Sequence, residues 1–200
     1  LISVMYATSY LYNSNEFIEL LLSQPVTRKR IWLSLFAGLS LALSLACVLG
    51  IGIPIVLYTN IQTGFMILVT GILITLIFVA LAMFASVITR DKAKGIGVSI
   101  LLWLFFALLF DGILLFLVFQ FSDYPIEKAM VFVSMLNPLM LSRNLILLQL
   151  DVSAMMGYTG AIFKDFFGNI TGMLITIVVL VLWILIPFYI SMRKFNSKDL

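Results

Sequence analysis

Histidine is absent from all 200 residues, cysteine occurs once, and charged side chains make up only 10% of the chain. Each scarcity excludes a class of chemistry. Without histidine there is no imidazole to act as general base, and with Cys47 alone there is no intrachain disulfide framework and no cysteine and histidine metal cluster. No Gly-x-x-x-x-Gly-Lys-Ser/Thr string occurs, so this chain supplies no phosphate-cradling loop of its own. The shortage of charge excludes a soluble domain, in which roughly a quarter of residues are charged. Hydrocarbon fills the gap: 63% of residues are hydrophobic, and the mean hydropathy is +1.19. The chain reads as an integral membrane protein.

Four stretches are long and apolar enough to cross a bilayer, which takes about 20 residues. They are Ile31 to Tyr58, Phe65 to Ile88, Ile96 to Gln120 and Thr171 to Ile190. A backbone in hydrocarbon must satisfy its own hydrogen bonds, so each is expected to be a helix. The fold class is therefore all-α, a polytopic helical membrane protein, with residues 1–200 forming a single transmembrane domain. Leu1 to Tyr12 reads as the inner end of an apolar helix too short to span, so further spans are expected upstream of Leu1.

Orientation follows from lysine and arginine. Arg28, Lys29 and Arg30 precede the first span, Arg90, Lys92 and Lys94 separate the second from the third, and Arg193, Lys194 and Lys198 follow the fourth. These are nine of the 12 basic residues. Lys128, Arg143 and Lys164 fall on the other side. The spans alternate without conflict, with both ends of this chain cytoplasmic. The net charge of +3 is thus mainly a topology signal, and nothing in it suggests nucleic acid as a partner. Membrane lipid is the expected surrounding, and the basic C-terminal tail is suited to anionic headgroups.

Residues 121–170 are irregular and lie on the outer side in this topology. Ser122-Asp123-Tyr124-Pro125 reads as a turn. Ala129 to Leu136 and Leu139 to Leu150 read as two short helical pieces separated at Asn137-Pro138, re-entrant or interfacial in character. Met155 to Gly160 reads as a flexible turn region, and Phe163 to Gly168 as the lead into the last span. Five of the ten methionines, Met130, Met135, Met140, Met155 and Met156, lie here. Thioethers suit copper(I), but the first three are spaced by five, which scatters them around a helix and favours packing. The Gly50 to Pro54 run lies in the first span and suits a kink there.

Asp111 is the one ionisable residue inside a span. A carboxylate in hydrocarbon costs on the order of 3 kcal/mol, so it is expected to face the bundle interior. It lies about 22 Å along a helix from Ile96, which leaves both a transport role and a structural role open.

The stretch from Glu16 to Arg30 is the most specific signal. Ser14 is placed to cap a short helix starting near Asn15, Glu16 suits its first turn, and Gln24-Pro25 stops it. Thr27 is placed to cap the span that follows. The short helix carries Phe17, Ile18, Leu20, Leu21 and Leu22, too much apolar surface for a solvated linker. Either headgroups or a partner's groove must cover them.

Glu19-Leu20-Leu21-Leu22-Ser23-Gln24-Pro25-Val26-Thr27-Arg28-Lys29-Arg30 resembles the cytoplasmic coupling helix and basic entry of permease subunits in the type-two exporter class of ABC transporters. The Arg90-Asp91-Lys92 loop, Asp111 in an aromatic-rich span, Leu136-Asn137-Pro138 followed by Arg143, and the Phe195 to Leu200 tail agree with it. Met156-Gly157-Tyr158-Thr159-Gly160-Ala161 resembles the subgroup that serves nitrous oxide reductase maturation. The resemblance implies an ABC transporter permease that is not itself an enzyme and binds no cofactor, ATP being held by a partner. It implies a cytoplasmic ABC ATPase subunit that docks on Glu16, Phe17, Glu19, Leu21, Leu22, Ser23, Gln24 and Pro25. It also implies a second permease copy in a homodimer, a periplasmic accessory protein, a place in the bacterial inner membrane, and a role in copper-site assembly. The same class exports lipids, drugs, peptides and polysaccharides, and a non-transporting membrane scaffold is the reading without the resemblance.

Overall fold

The computed structural model describes residues 1–58, 61–89, 91–121, 127–149 and 170–197. Every regular element among them is helical. In chain order they are α1 (Ile2–Asn13), α2 (Asn15–Leu22), α3 (Arg28–Tyr58), α4 (Ile61–Ile88), α5 (Lys92–Leu104), a π-helical turn (Phe105–Leu109), α6 (Phe110–Gln120), α7 (Glu127–Met135), α8 (Pro138–Gln149) and α9 (Ile170–Ser197). Four stretches are long and apolar enough to cross a membrane: Arg28–Ile55, Thr63–Ile88, Lys92–Gln120 and Thr171–Ser197. They match the four expected spans. The last runs on past Ile190, because Ser191 and Phe195 find partners at that end of the helix.

The chain forms two compact units. The first comprises Leu1–Cys47, Thr75–Trp103 and Trp183–Leu200, so it holds α1, α2, the start of α3, the second half of α4, nearly all of α5 and the end of α9. Its core is built on α4, where Ile77, Val79, Ala80, Ala82, Met83 and Ala85 are fully buried. Val4, Ala7 and Leu11 repeat at helical spacing on α1 and are buried with them. The second unit comprises Val48–Ile74 and Leu104–Leu182. In it α8 packs on α7 and on the π-helical turn, burying Met140, Leu141 and Leu145. A Cβ at Gly64 would overlap the Ile55 side chain, so glycine is what lets α4 approach α3 there.

Large apolar side chains stay exposed along whole faces, among them Leu41, Leu45, Leu49 and Ile53 on α3 and Leu174, Val178 and Leu182 on α9. In water such faces would aggregate. In hydrocarbon, where lipid tails are as apolar as leucine, they need no cover.

The structure corrects two local expectations. Ser14 makes no side-chain cap to α2: its φ of −94° and ψ of 6° make it the last turn of α1, with its N–H given to the Tyr10 carbonyl. An N-cap needs extended backbone, so the hydroxyl is not set to receive a first-turn N–H. The third span is interrupted by the π-helical turn, with no glycine or proline to announce it. Arg90, the Ser122 to Pro125 turn, the Met155 to Gly160 region, the Phe163 to Gly168 lead and the last three residues lie outside the described residues.

Candidate functional site

In the first unit, the chain turns sharply from α1 into α2 at Ser14 and leaves α2 through a compact exit. Ser23 Oγ donates to the Leu20 carbonyl at 2.7 Å, and the amides of Ser23 and Gln24 reach back to Glu19 and Leu21. Pro25 has no N–H to continue the pattern, and α3 starts three residues later. Ile18 is the buried anchor of α2, at 5% exposed. Glu16, Phe17, Glu19, Leu20, Ser23, Gln24 and Pro25 are exposed, whereas Leu21 and Leu22 are half-buried. Leu20 is the most exposed apolar residue of the helix, at 65%. It was not among the expected docking residues, although its place two residues after the buried Ile18 turns it to the opposite face.

Phe17 and Leu21 have a different setting. Together with Tyr6 and Tyr10 of α1 and Ser34, Leu35, Gly38, Leu39 and Ala42 of α3 they line a trough of about 270 Å³.

Both neighbours of α2 are held firmly. On α1, the Thr8 and Ser99 hydroxyls share a buried hydrogen bond at 2.8 Å, the Tyr12 hydroxyl bonds the Thr89 carbonyl at 3.1 Å and its side-chain oxygen, and Lys92 Nζ donates to Asn13 Oδ1 at 2.7 Å. A Cβ at Gly95 would collide with the Tyr12 ring, so that glycine is required by the fit. On α3, Trp32 Nε1 donates to Ser191 Oγ at 3.1 Å, the Trp32 ring stacks on Phe195 at 4.3 Å, and Phe36 meets Phe188 at 4.5 Å. Helix α3, which follows α2, is thereby tied to the end of the last span. Lys194 on that same end lies 5.7 Å from the centre of the Phe84 ring.

The second unit carries a polar cluster. Asn137 is fully buried and uses its whole amide: Nδ2 donates to the Phe106 carbonyl at 2.8 Å, and Oδ1 accepts from Leu139 N at 2.9 Å and Met140 N at 3.3 Å. It is the N-cap of α8, with Pro138 in the first helical position where a missing N–H costs nothing. It also captures a carbonyl of the π-helical turn. Just past that turn, Asp111 Oδ2 pairs with Arg143 Nη1 at 2.8 Å. The pair is partly open, with Arg143 46% and Asp111 27% exposed. The carboxylate therefore has the partner that hydrocarbon demands, supplied by α8. Next to Arg143, the amide of Asn144 is buried with no hydrogen-bond partner. Met130 and Met140 are packed in the core of this unit, as their spacing favours, and no cluster of metal-ligating acids or cysteine exists among the described residues.

Four such spans, with a short amphipathic helix set before one of them and an ion pair on another, define a polytopic helical membrane protein, and comparison with known proteins names the family. Residues 16–200 match the model of the ABC-2 family transporter protein, and the chain belongs to that family. It is similar to the probable ABC transporter permease protein NosY of Pseudomonas aeruginosa, 29% identical over 145 residues that cover 68% of this chain and 53% of the relative. The chain thus spans about half the length of the curated relative it matches.

Proposed function

We propose that this chain forms part of the membrane path of an ABC transporter in the inner membrane of a bacterium. It works as a homodimer, keeps both of its ends cytoplasmic, and receives force from cytoplasmic ATPase subunits through Glu16 to Pro25. The observation that carries the proposal is the construction of α2. Ile18 fixes the helix to the first unit, Glu16, Glu19, Leu20, Ser23, Gln24 and Pro25 face outward, and the next helix is locked to the last span through Trp32 and Ser191. A push on that exposed face travels into α3 and α9 rather than being absorbed by a loose loop. Two exposed glutamates, Glu16 and Glu19, precede Leu20 in sequence and call for a partner groove that is apolar at Leu20 and basic on the side of the α2 N-terminus.

The work proposed for the transporter is copper-site maturation of nitrous oxide reductase, with a periplasmic partner seated on residues 121–170. Support comes from the Met156 to Ala161 string and from similarity to NosY.

Leu20→Asp tests the docking face. Full burial of a leucine side chain contributes about 1.5–3 kcal/mol, and an aspartate in its place must also be desolvated. Since each 1.4 kcal/mol is tenfold in affinity, ATPase co-purifying at equal membrane abundance is expected to fall at least about tenfold. Undiminished co-purification would exclude Leu20 from the interface.

A further inference from the structure

We propose that the trough enclosed by α1, α2 and α3 is a binding site for one anionic phospholipid, its acyl chain along α3 and its phosphate at Arg30. The floor of the trough lies on a spanning helix, within Arg28–Ile55. Ser34, Gly38 and Ala42 are spaced by four and form one row on α3, all three exposed. Two of them are small, and a Cβ on Gly38 would meet nothing within 4 Å, so the row is a channel rather than a packed seam. Ser34 turns its hydroxyl back to the Ile31 carbonyl at 2.8 Å, which leaves the channel wall mainly apolar. Its sides are Leu35, Leu39, Leu21 and the Phe17 ring.

Charge decides the occupant. Continuing the row by one turn toward the start of α3 leads from Ser34 to Arg30, which is exposed and has no carboxylate partner among the described residues. A long basic side chain there extends toward the helix N-terminus and lies at headgroup level while its stem stays on apolar surface. Lys29, also exposed and without a carboxylate partner, adds a second cation beside it. Tyr6 and Tyr10 stack 6.4 Å apart on the opposite wall, the kind of amphipathic ring found where hydrocarbon meets headgroups. An apolar channel that opens onto paired cations fits a fatty chain ending in a phosphate, and the one polar group on its floor, the Ser34 hydroxyl, already gives its proton to the Ile31 carbonyl. Phe17 and Leu21 line the channel from within the Glu16 to Pro25 segment, while Leu20, the outward residue on which the ATPase contact is tested, is not part of the lining.

Native mass spectrometry of the whole transporter, released from nanodiscs of equal parts phosphatidylglycerol and phosphatidylethanolamine, tests this. Phosphatidylglycerol is expected to be retained in excess. Arg30→Gln should lower that excess about fivefold, the effect of one basic residue at an anionic surface. Gly38→Leu, which fills open space without displacing backbone, should abolish retention while ATPase co-purification stays at the wild-type level. Equal retention of the two lipids, retention unchanged in Gly38→Leu, or cross-linking of Gly38→Cys to another protein segment in place of lipid would each overturn the proposal.

Discussion

Asn137 concentrates more of the second unit's order in one side chain than any other residue described. Its amide caps α8 and holds the Phe106 carbonyl at the π-helical turn. Asn137→Ala leaves those groups without partners in a buried place, which is expected to cost about 2–4 kcal/mol, the sum of a lost cap and an orphaned carbonyl. Asn137→Ser keeps an oxygen able to cap α8 without burying a charge, so it should recover part of the loss. Thermal unfolding in detergent measures both, and an Asn137→Ala midpoint equal to wild type would contradict the assignment. Asp111 and Arg143 call for a double-mutant cycle. Asp111→Asn and Arg143→Gln each leave one charge without its partner beside a spanning helix, and each is expected to lower transport-linked activity. The double variant should recover at least part of it, because neither charge remains. Strictly additive losses would mean that the two residues act independently.

At the scale of elements, Pro25 separates α2 from α3 and so sets the angle between them. Pro25→Ala restores an N–H and lets the short helix run on toward Thr27. ATPase binding is expected to survive this change, because Leu20 and the glutamates keep their face, while transport-linked ATP hydrolysis falls. Wild-type hydrolysis would show that the bend does not matter. These elements differed in how readable they were. Helices α1, α2, α7 and α8 and the four spans follow from apolar run length, Gln24-Pro25 and Asn137-Pro138, all of which are local signals. The π-helical turn was invisible because Phe105 to Leu109 is ordinary span sequence, and its reason is a contact 31 residues away, from Asn137. The Asp111 and Arg143 pair was hidden in the same manner, since each residue was legible as polar but their meeting depends on how α8 packs. Leu20 and Leu21 looked alike in the string of leucines. Only burial of Ile18 and the trough beside Leu21 separates an outward residue from an inward one.

For the whole molecule, charge and mechanics point the same way. The nine-to-three split of basic residues is the basis for the proposed cytoplasmic position of α2, the side on which an ATPase would dock. The same unit holds tight contacts between helices: Tyr12 against Thr89 and Gly95, and Trp32 against Ser191 and Phe195. Exposed apolar faces on α3 and α9 are suited to a hydrocarbon surrounding. Contact between α2 and the ATPase is the claim on which orientation and force transfer both depend. A photo-reactive residue placed at position 20, in the assembled transporter in native membranes, tests it directly. The account expects a covalent adduct with the cytoplasmic ATPase at position 20 and a much weaker one at position 18, whose side chain is buried within the permease. An adduct with lipid alone at position 20, with the ATPase present and bound, would contradict it.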